Sequence, residues 1–310
     1  MTNARFVHIV DDVAELEGLG DGPVMVTALD GFLDAGSASA LAVGHLIEAS
    51  AGRVVASFEV DEFYDYRARR PPMSFIRDHY SDYEAPRLVA RLMHDDLRTP
   101  YLLLTGPEPD NRWEAFAEAV RVVVEHFDVR LTVSMGSVPM AVPHTRPVQV
   151  TNHATAKRLL VTDNVWQGEI RIPSSAQSLL ELRLGEWGHD ATGFVAHIPH
   201  YVAQFGYPEA ASAMLRHVGG VTGLQWDTAA LDAAAAERQA EIATQVNDSD
   251  EVRAVVAGLE QQYDAFHEGG PNLLGQEDGS MPDAKDLPTG EELGAQFEQF
   301  LAGLDQTDDE

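Results

Sequence analysis

Five apolar, β-branched runs stand along the first two-thirds of the chain: Pro23 to Leu29, Arg53 to Val60, Tyr101 to Gly106, Arg130 to Gly136 and Gly193 to Pro199. Each is bounded by Gly, Pro or Asp, residues that end a strand pattern. Between most of them the apolar positions recur at helical spacing. Ala38, Leu41, Ala42, His45 and Leu46 share one helix face, and Trp113, Phe116, Ala117, Val120, Val123 and Val124 share another. The runs are apolar almost throughout instead of alternating. That predicts strands buried on both faces, the habit of a parallel sheet covered by helices, and so an α/β fold with three α/β/α layers.

Two regions change this picture. The stretch RLVARLMHDDLRTPYLLL from Arg87 reads as two strands around a short turn, with Pro100 confined to a strand start, so the central sheet is expected to be mixed. Beyond Gly223 the pattern becomes alanine-rich and helical, pauses at Asn247 to Asp250, and resumes to Phe266, which predicts a helical hairpin. The following Gly-, Pro- and Asp-rich segment has too few apolar residues to fold alone and reads as a mobile linker. After it, Thr289 and Glu292 have capping-box spacing ahead of an apolar stripe of Leu293, Phe297, Phe300, Leu301 and Leu304. The expected organisation is a core domain over 1–225, a hairpin over 226–267, an acidic flexible linker over 268–287, and an amphipathic docking helix with an acidic terminus over 288–310.

Charge narrows the partners. The formal net charge is −29, and residues 226–310 hold 21 acidic against 3 basic side chains. Such a surface repels phosphate, so neither nucleic acid nor an anionic membrane is an expected partner. Lys157 and Lys285 are the only lysines in the sequence, a composition that fits either salt adaptation or a skewed genome. With no cysteine in the sequence, disulfides, thiolate nucleophiles and cysteine-bound metals are excluded. No apolar run approaches the roughly 18 residues of a membrane span and the start lacks a signal-peptide pattern, so a cytoplasmic location is expected.

Loops leaving the C-terminal ends of parallel strands converge on one edge, and here they carry chemistry-bearing residues. The candidates are Asp30 and Asp34; Asp61, Glu62, Tyr64 and Arg67; Glu108, Asp110 and Arg112; His144 and Arg146; and His197, His200 and Tyr201. The set fits an acid/base site for a polar substrate, and it equally fits a hydrogen-bonded scaffold. Asp34 is expected to cap the helix starting near Gly36. Asp30 is left to pair with Arg67 or Arg146, or to meet a ligand amine or hydroxyl. Asp30, Glu62, Arg67, Arg146 and His200 are expected near one another. Two carboxylates at a helix entrance argue against phosphate, and Pro199 between His197 and His200 argues against a metal pair. Walker, G-x-S-x-G and dinucleotide patterns are absent from the sequence, so no cofactor is expected.

Several stretches together, ALDGFLDAGSASA, DEFYDYRARRPP, LLLTGPEPDNRW, SMGSVPMAVPHTRPVQVTNHAT, GHDATGFVAHIPHYVAQFGYPEAA and LPTGEELGAQFEQFL, resemble the proteasome assembly chaperone 2 family in its bacterial branch, in order over roughly residues 22–303. The resemblance implies a phosphorylase/hydrolase-like α/β/α core with a mixed sheet and a helical C-terminal extension. It also implies a cytoplasmic protein-interaction or assembly-chaperone-like role. The resemblance also brings in eukaryotic and archaeal relatives that act as scaffolds for proteasome ring assembly and commonly dock through a C-terminal hydrophobic-tyrosine-any residue tail. This sequence ends DQTDDE, so docking by that tail is not expected. Some bacterial members carry a carboxylate-amine ligase label. The alternative is therefore an enzyme or small-molecule binder, of hydrolase or ligase type, using the strand-end crevice. A homo-oligomer, with a trimer favoured, and an unidentified protein partner complete the expectation.

Overall fold

The computed structural model describes residues 2–268 apart from Asp12, Glu17, Ala51, 162–168 and Ile170. In chain order the elements are β1 (Thr2–Ala4), β2 (Val7–Ile9), β3 (Val24–Asp30), α1 (Ala38–Ala49), β4 (Arg53–Phe58), β5 (Ser74–Ile76), β6 (His79–Ser81), β7 (Val89–His94) and β8 (Pro100–Pro107). They continue as α2 (Trp113–His126), β9 (Leu131–Met140), β10 (Val150–Ala154), α3 (Ala176–Glu186), β11 (Ala191–Pro199), α4 (Pro208–Thr222), α5 (Ala229–Asn247) and α6 (Asp250–Glu268). Nine of the described strands form one sheet in the order β1-β2-β4-β7-β8-β3-β9-β11-β10. Strands β8, β3, β9 and β11 run parallel. Strand β7 lies antiparallel between β4 and β8, and β10 closes the far edge antiparallel to β11. The sheet is mixed, as the Arg87 to Leu104 pattern predicts.

Period-two alternation along the central strands divides the core in two. Val24, Val26 and Ala28 of β3 pack with α1 and α4 on one face, and Met25 and Leu29 pack with α2 and α3 on the other. In β8, Tyr101 and Leu103 join the first cluster, while Leu102 and Leu104 join the second. Both faces need apolar residues, which is why these runs show no polar alternation. Each large side chain covered this way contributes about 1.5–3 kcal/mol.

Helices α5 and α6 pack against each other and form the expected hairpin. Leu231, Ile242, Val256 and Leu259 belong to the same apolar cluster as α1 and α4, so the hairpin thickens one helical layer. The linker and docking helix expected beyond Glu268 lie outside the described residues.

Several elements had no clear pattern in the sequence. β10 is an edge strand without fully apolar character, α3 opens at a Ser175–Ser178 capping box instead of an acidic one, and β5 pairs only with β6. β9 runs to Met140, beyond the Gly136 suggested by composition, because Pro199 of β11 keeps it company to that point.

Candidate functional site

The C-terminal ends of β4, β8, β3, β9 and β11 follow one another along a single edge of the sheet. The predicted site residues sit at strand ends, in loops or in turns on this edge or in the adjoining β10–β11 region. Their contacts divide them into three groups, and the strand order explains why.

The first group surrounds the end of β3. Asp34 Oδ1 accepts the Ser39 N–H at 2.7 Å, which caps α1 as the sequence implies. Gly36, at φ +63°, makes the close turn into this helix. A Cβ there would stand 2.9 Å from Tyr207 Cβ, so Gly is required by space as well as by conformation. The loop is held onto β9 by Ser137, whose N–H donates to Leu33 O at 3.0 Å and whose hydroxyl donates to Ala35 O at 2.7 Å. Glu108, just past β8, accepts the Phe32 N–H at 3.1 Å with Oε2 and the Ala176 N–H at 2.7 Å with Oε1. It thus joins the β3 loop to the start of α3, where a carboxylate also meets the positive helix end. Gly31 leaves room for this contact, since its Cβ would lie 2.3 Å from Glu108 Oε2.

The cation of this group is Arg69, a residue the sequence did not single out. Its Nη2 donates to Glu108 O at 2.5 Å and to Asp110 Oδ2 at 2.7 Å, and its guanidinium lies 4.6 Å from the Tyr64 ring centroid. Asp110 Oδ2 also accepts the Asp65 N–H at 2.7 Å. The expected pairing of Asp30 with Arg67 is not what forms. A turn on Asp65, whose Oδ1 accepts the Arg67 N–H at 2.8 Å, brings Arg69 inward and leaves Arg67 exposed. The RARR run held the signal, but spacing alone did not distinguish its members. Burial first and the Asp34 charge second push the Asp30 carboxyl above its ordinary value, with Arg69 opposing them. Asp34 is raised too, by burial, against the lowering effect of its amide bonds.

The second group is the Glu62–Arg112 ion pair. Arg112 lies over the Phe6 ring at 5.6 Å, so this pair belongs to the β1–β2 turn and not to Asp30. Beside it, Phe58, Glu59, Asp61, Tyr66 and Tyr83 line an open cleft of about 780 Å³. The Tyr66 hydroxyl donates to Asp61 Oδ1 at 2.6 Å, which pushes the phenol up to about 12.

The third group lies at the ends of β9 and β11. The Tyr201 hydroxyl accepts the His144 N–H at 2.8 Å and stands 2.7 Å from His144 Nδ1. His197 Nε2 is 2.8 Å from Thr151 Oγ1. Burial lowers the pKa of His144, His197 and His200, so these rings favour the neutral form. Arg146, the other expected partner of Asp30, turns instead to α6, with Nη2 2.6 Å from Asp264 Oδ2. Asp30, Glu62, Arg67, Arg146 and His200 therefore do not share one set of contacts, because β8, β3 and β9 space their loops along the edge. Among the described residues, no group of three or more His, Asp or Glu side chains is placed to hold a metal ion. No described helix is long and apolar enough to cross a membrane.

A mixed sheet covered on both faces, with capped and ion-paired loops along its strand ends, defines an α/β/α protein with a polar edge. The chain belongs to the PAC2 family, whose sequence model matches residues 28–246. Among solved structures it is similar to Mycobacterium tuberculosis Rv2714, a protein of unknown function, at 45% identity and TM-score 0.79, covering 86% of this chain and 94% of that one. A Corynebacterium glutamicum ATCC 13032 protein of unknown function is 34% identical, with TM-score 0.82 and coverage of 86% and 100%. The M. tuberculosis proteasome-assembly chaperone homologue Rv2125 is 26% identical, with TM-score 0.70 and coverage of 75% and 99%. No match to a curated protein was found.

Proposed function

We propose that this chain is a cytoplasmic, assembly-chaperone-like protein that binds other folded proteins and associates with itself. The observation that carries the reading is membership of the PAC2 family together with the likeness to a proteasome-assembly chaperone homologue. The edge chemistry supports it. Asp34, Glu108, Asp110, Arg69 and Arg146 are engaged in caps and ion pairs that hold loops in place, as a rigid recognition surface requires. The proposal keeps the organisation of core (1–225), hairpin (226–267), linker (268–287) and docking helix (288–310), which rests on the sequence pattern.

One observation favours a second reading, an enzyme or small-molecule binder. The Asp30 carboxylate has no hydrogen bond among the described residues and sits above its ordinary pKa, a state suited to proton transfer. Native mass spectrometry of the protein purified from its own cells separates the two. A stoichiometric complex with proteasome α-subunits or another defined protein supports the assembly role. A retained metabolite lost on Asp30→Asn, with no protein partner, supports the enzyme or binder.

A further inference from the structure

On the face of the sheet that α2 and α3 cover, one lateral row is polar. Thr27 of β3, Ser134 of β9, Gly193 of β11 and His153 of β10 are register partners from strand to strand. Alternation along the strands turns them toward the apolar layer of Met25, Leu29, Leu180 and Leu184. Such a layer has no structural need of them, and a buried polar group without a partner costs stability. Yet the Thr27 hydroxyl is buried and unpartnered among the described residues, and so are Gln177 Oε1 and Glu181 Oε2, one turn apart on α3. Gln177 reaches the row itself, its Nε2 donating to the Met135 carbonyl beside Ser134 at 2.9 Å. Ser134 is 7% exposed and its hydroxyl has no hydrogen bond among the described residues.

Three of these groups stand in a definite order. Glu181 Oε1 lies 2.8 Å from His153 Nδ1, a bond that places the ring proton on Nδ1 and leaves Nε2 as an acceptor. A Cβ on Gly193 would collide with both the Ser134 Oγ and the His153 ring, and would stand 2.6 Å from Nε2. The missing side chain thus lets a serine and a histidine from strands that are not neighbours meet above β11. No sequence pattern announces the group, because Ser134 sits mid-strand instead of on a G-x-S-x-G elbow. A triad of this kind is recognised by geometry and roles.

We propose that Ser134, His153 and Glu181 are the nucleophile, the general base and the positioning carboxylate of an acyl-transfer site that cleaves short-chain carboxylic esters. His153 Nε2 takes the Ser134 proton as Oγ bonds to the ester carbonyl carbon. The bond from that carbon to the alcohol oxygen then breaks, and the alcohol leaves with the proton from His153. Water attacks the acyl-serine by the same route, passing its proton through His153 back to Oγ, and the carboxylic acid departs. The Thr27 hydroxyl, beside Ser134 in register, is the donor for the carbonyl oxygen as it gains charge. Exposure sets the substrate size: the His153 side chain is 39% exposed and Ser134 lies deeper, so only a short acyl group reaches Oγ. The inference goes beyond the assembly role and does not involve Asp30.

An alkyl fluorophosphonate, which bonds to an activated serine with loss of fluoride, tests it on the intact protein by mass spectrometry, with p-nitrophenyl acetate hydrolysis alongside. Wild type is expected to gain one adduct, mapped to Ser134, and to release p-nitrophenolate, and Ser134→Ala to do neither. His153→Gln and Glu181→Gln should each slow both reactions by about 100-fold or more. Glu181→Asp keeps a carboxylate and should recover most of that loss, which a purely structural role of Glu181 would not produce. Far-UV circular dichroism checks that each variant is folded. A folded wild type that takes no adduct overturns the proposal, as does an adduct on another serine, or one that forms equally fast in His153→Gln. None of these results bears on the assembly role, which the partner analysis by native mass spectrometry decides.

Discussion

Arg146 and Asp264, 118 residues apart, face each other in a bidentate pair, with Nε 2.8 Å from Oδ1 and Nη2 2.6 Å from Oδ2. The pair fastens α6 to the loop that follows β9. Glu260, one turn earlier on α6, bonds the same loop through Thr145 and stands 3.3 Å from Arg146 Nη1. Arg146→Ala should therefore loosen α6 in particular. Because both side chains are partly exposed, the loss is expected to be small, read as faster amide exchange in α6 with little change in the central strands. Equal exchange in the two proteins would mean that Val256 and Leu259 hold the helix unaided.

The Asp34 cap predicts a different signature. Asp34→Ala removes the acceptor for Ser39 N–H and should cost about 1 kcal/mol in urea unfolding, with a range of roughly 0.5–2. Asp34→Asn keeps an acceptor oxygen and should recover most of that loss. An Ala variant as stable as wild type would assign the turn to Gly36 and Ser137 instead.

Asp30 behaves in the opposite sense. Its carboxyl lies above the ordinary 3.8 because burial and the Asp34 charge disfavour ionisation. Between the unfolded and the folded pKa the native state binds more protons, so its contribution to stability is present at acid pH and lost as pH rises through that window. Asp30→Asn should stabilise the protein slightly at neutral pH, the effect kept small because solvent screens the group, and the gain should vanish below about pH 3.8. Destabilisation at neutral pH would show that the Asp30 charge is paired with Arg69 to net benefit.

The core was legible because burial on both sheet faces leaves long apolar runs, and Val24 to Leu29 or Tyr101 to Leu104 carry that signature directly. The Asp34 cap was legible for a similar reason, since it acts over five residues of chain. Pairings across the edge were not. Arg69 rather than Arg67 reaches Asp110 because a local turn on Asp65 decides which side chain turns inward, and residue types do not encode that choice. Arg146 goes to α6 because the hairpin returns over the β9 and β11 end of the sheet, a long-range placement that periodicity does not report. The β5–β6 arm left little trace, as three-residue strands fall below what alternation can show.

Three histidines at the ends of β9 and β11 give the last prediction, and its sign follows from burial. His144 and His197 are each only 6% exposed, and His200 beside them is half-buried. Burial depresses all three below the ordinary 6.5, although Glu260 pulls His144 upward and the Met140 backbone does the same for His200. In the window below 6.5 the unfolded chain binds protons that the folded chain refuses. Their contribution to stability is therefore complete above 6.5 and lost as pH falls toward the folded values. His197 isolates the effect, since burial is its sole perturbation and its Nε2 bonds only the Thr151 hydroxyl, at 2.8 Å. His197→Gln retains a side-chain amide for that hydroxyl and removes the titration. The fall in stability between about pH 7.5 and pH 5 should therefore be smaller in the variant than in wild type. Chemical denaturation at both pH values measures it. A variant whose pH dependence matches wild type would show that His197 takes up its proton in the folded state without cost.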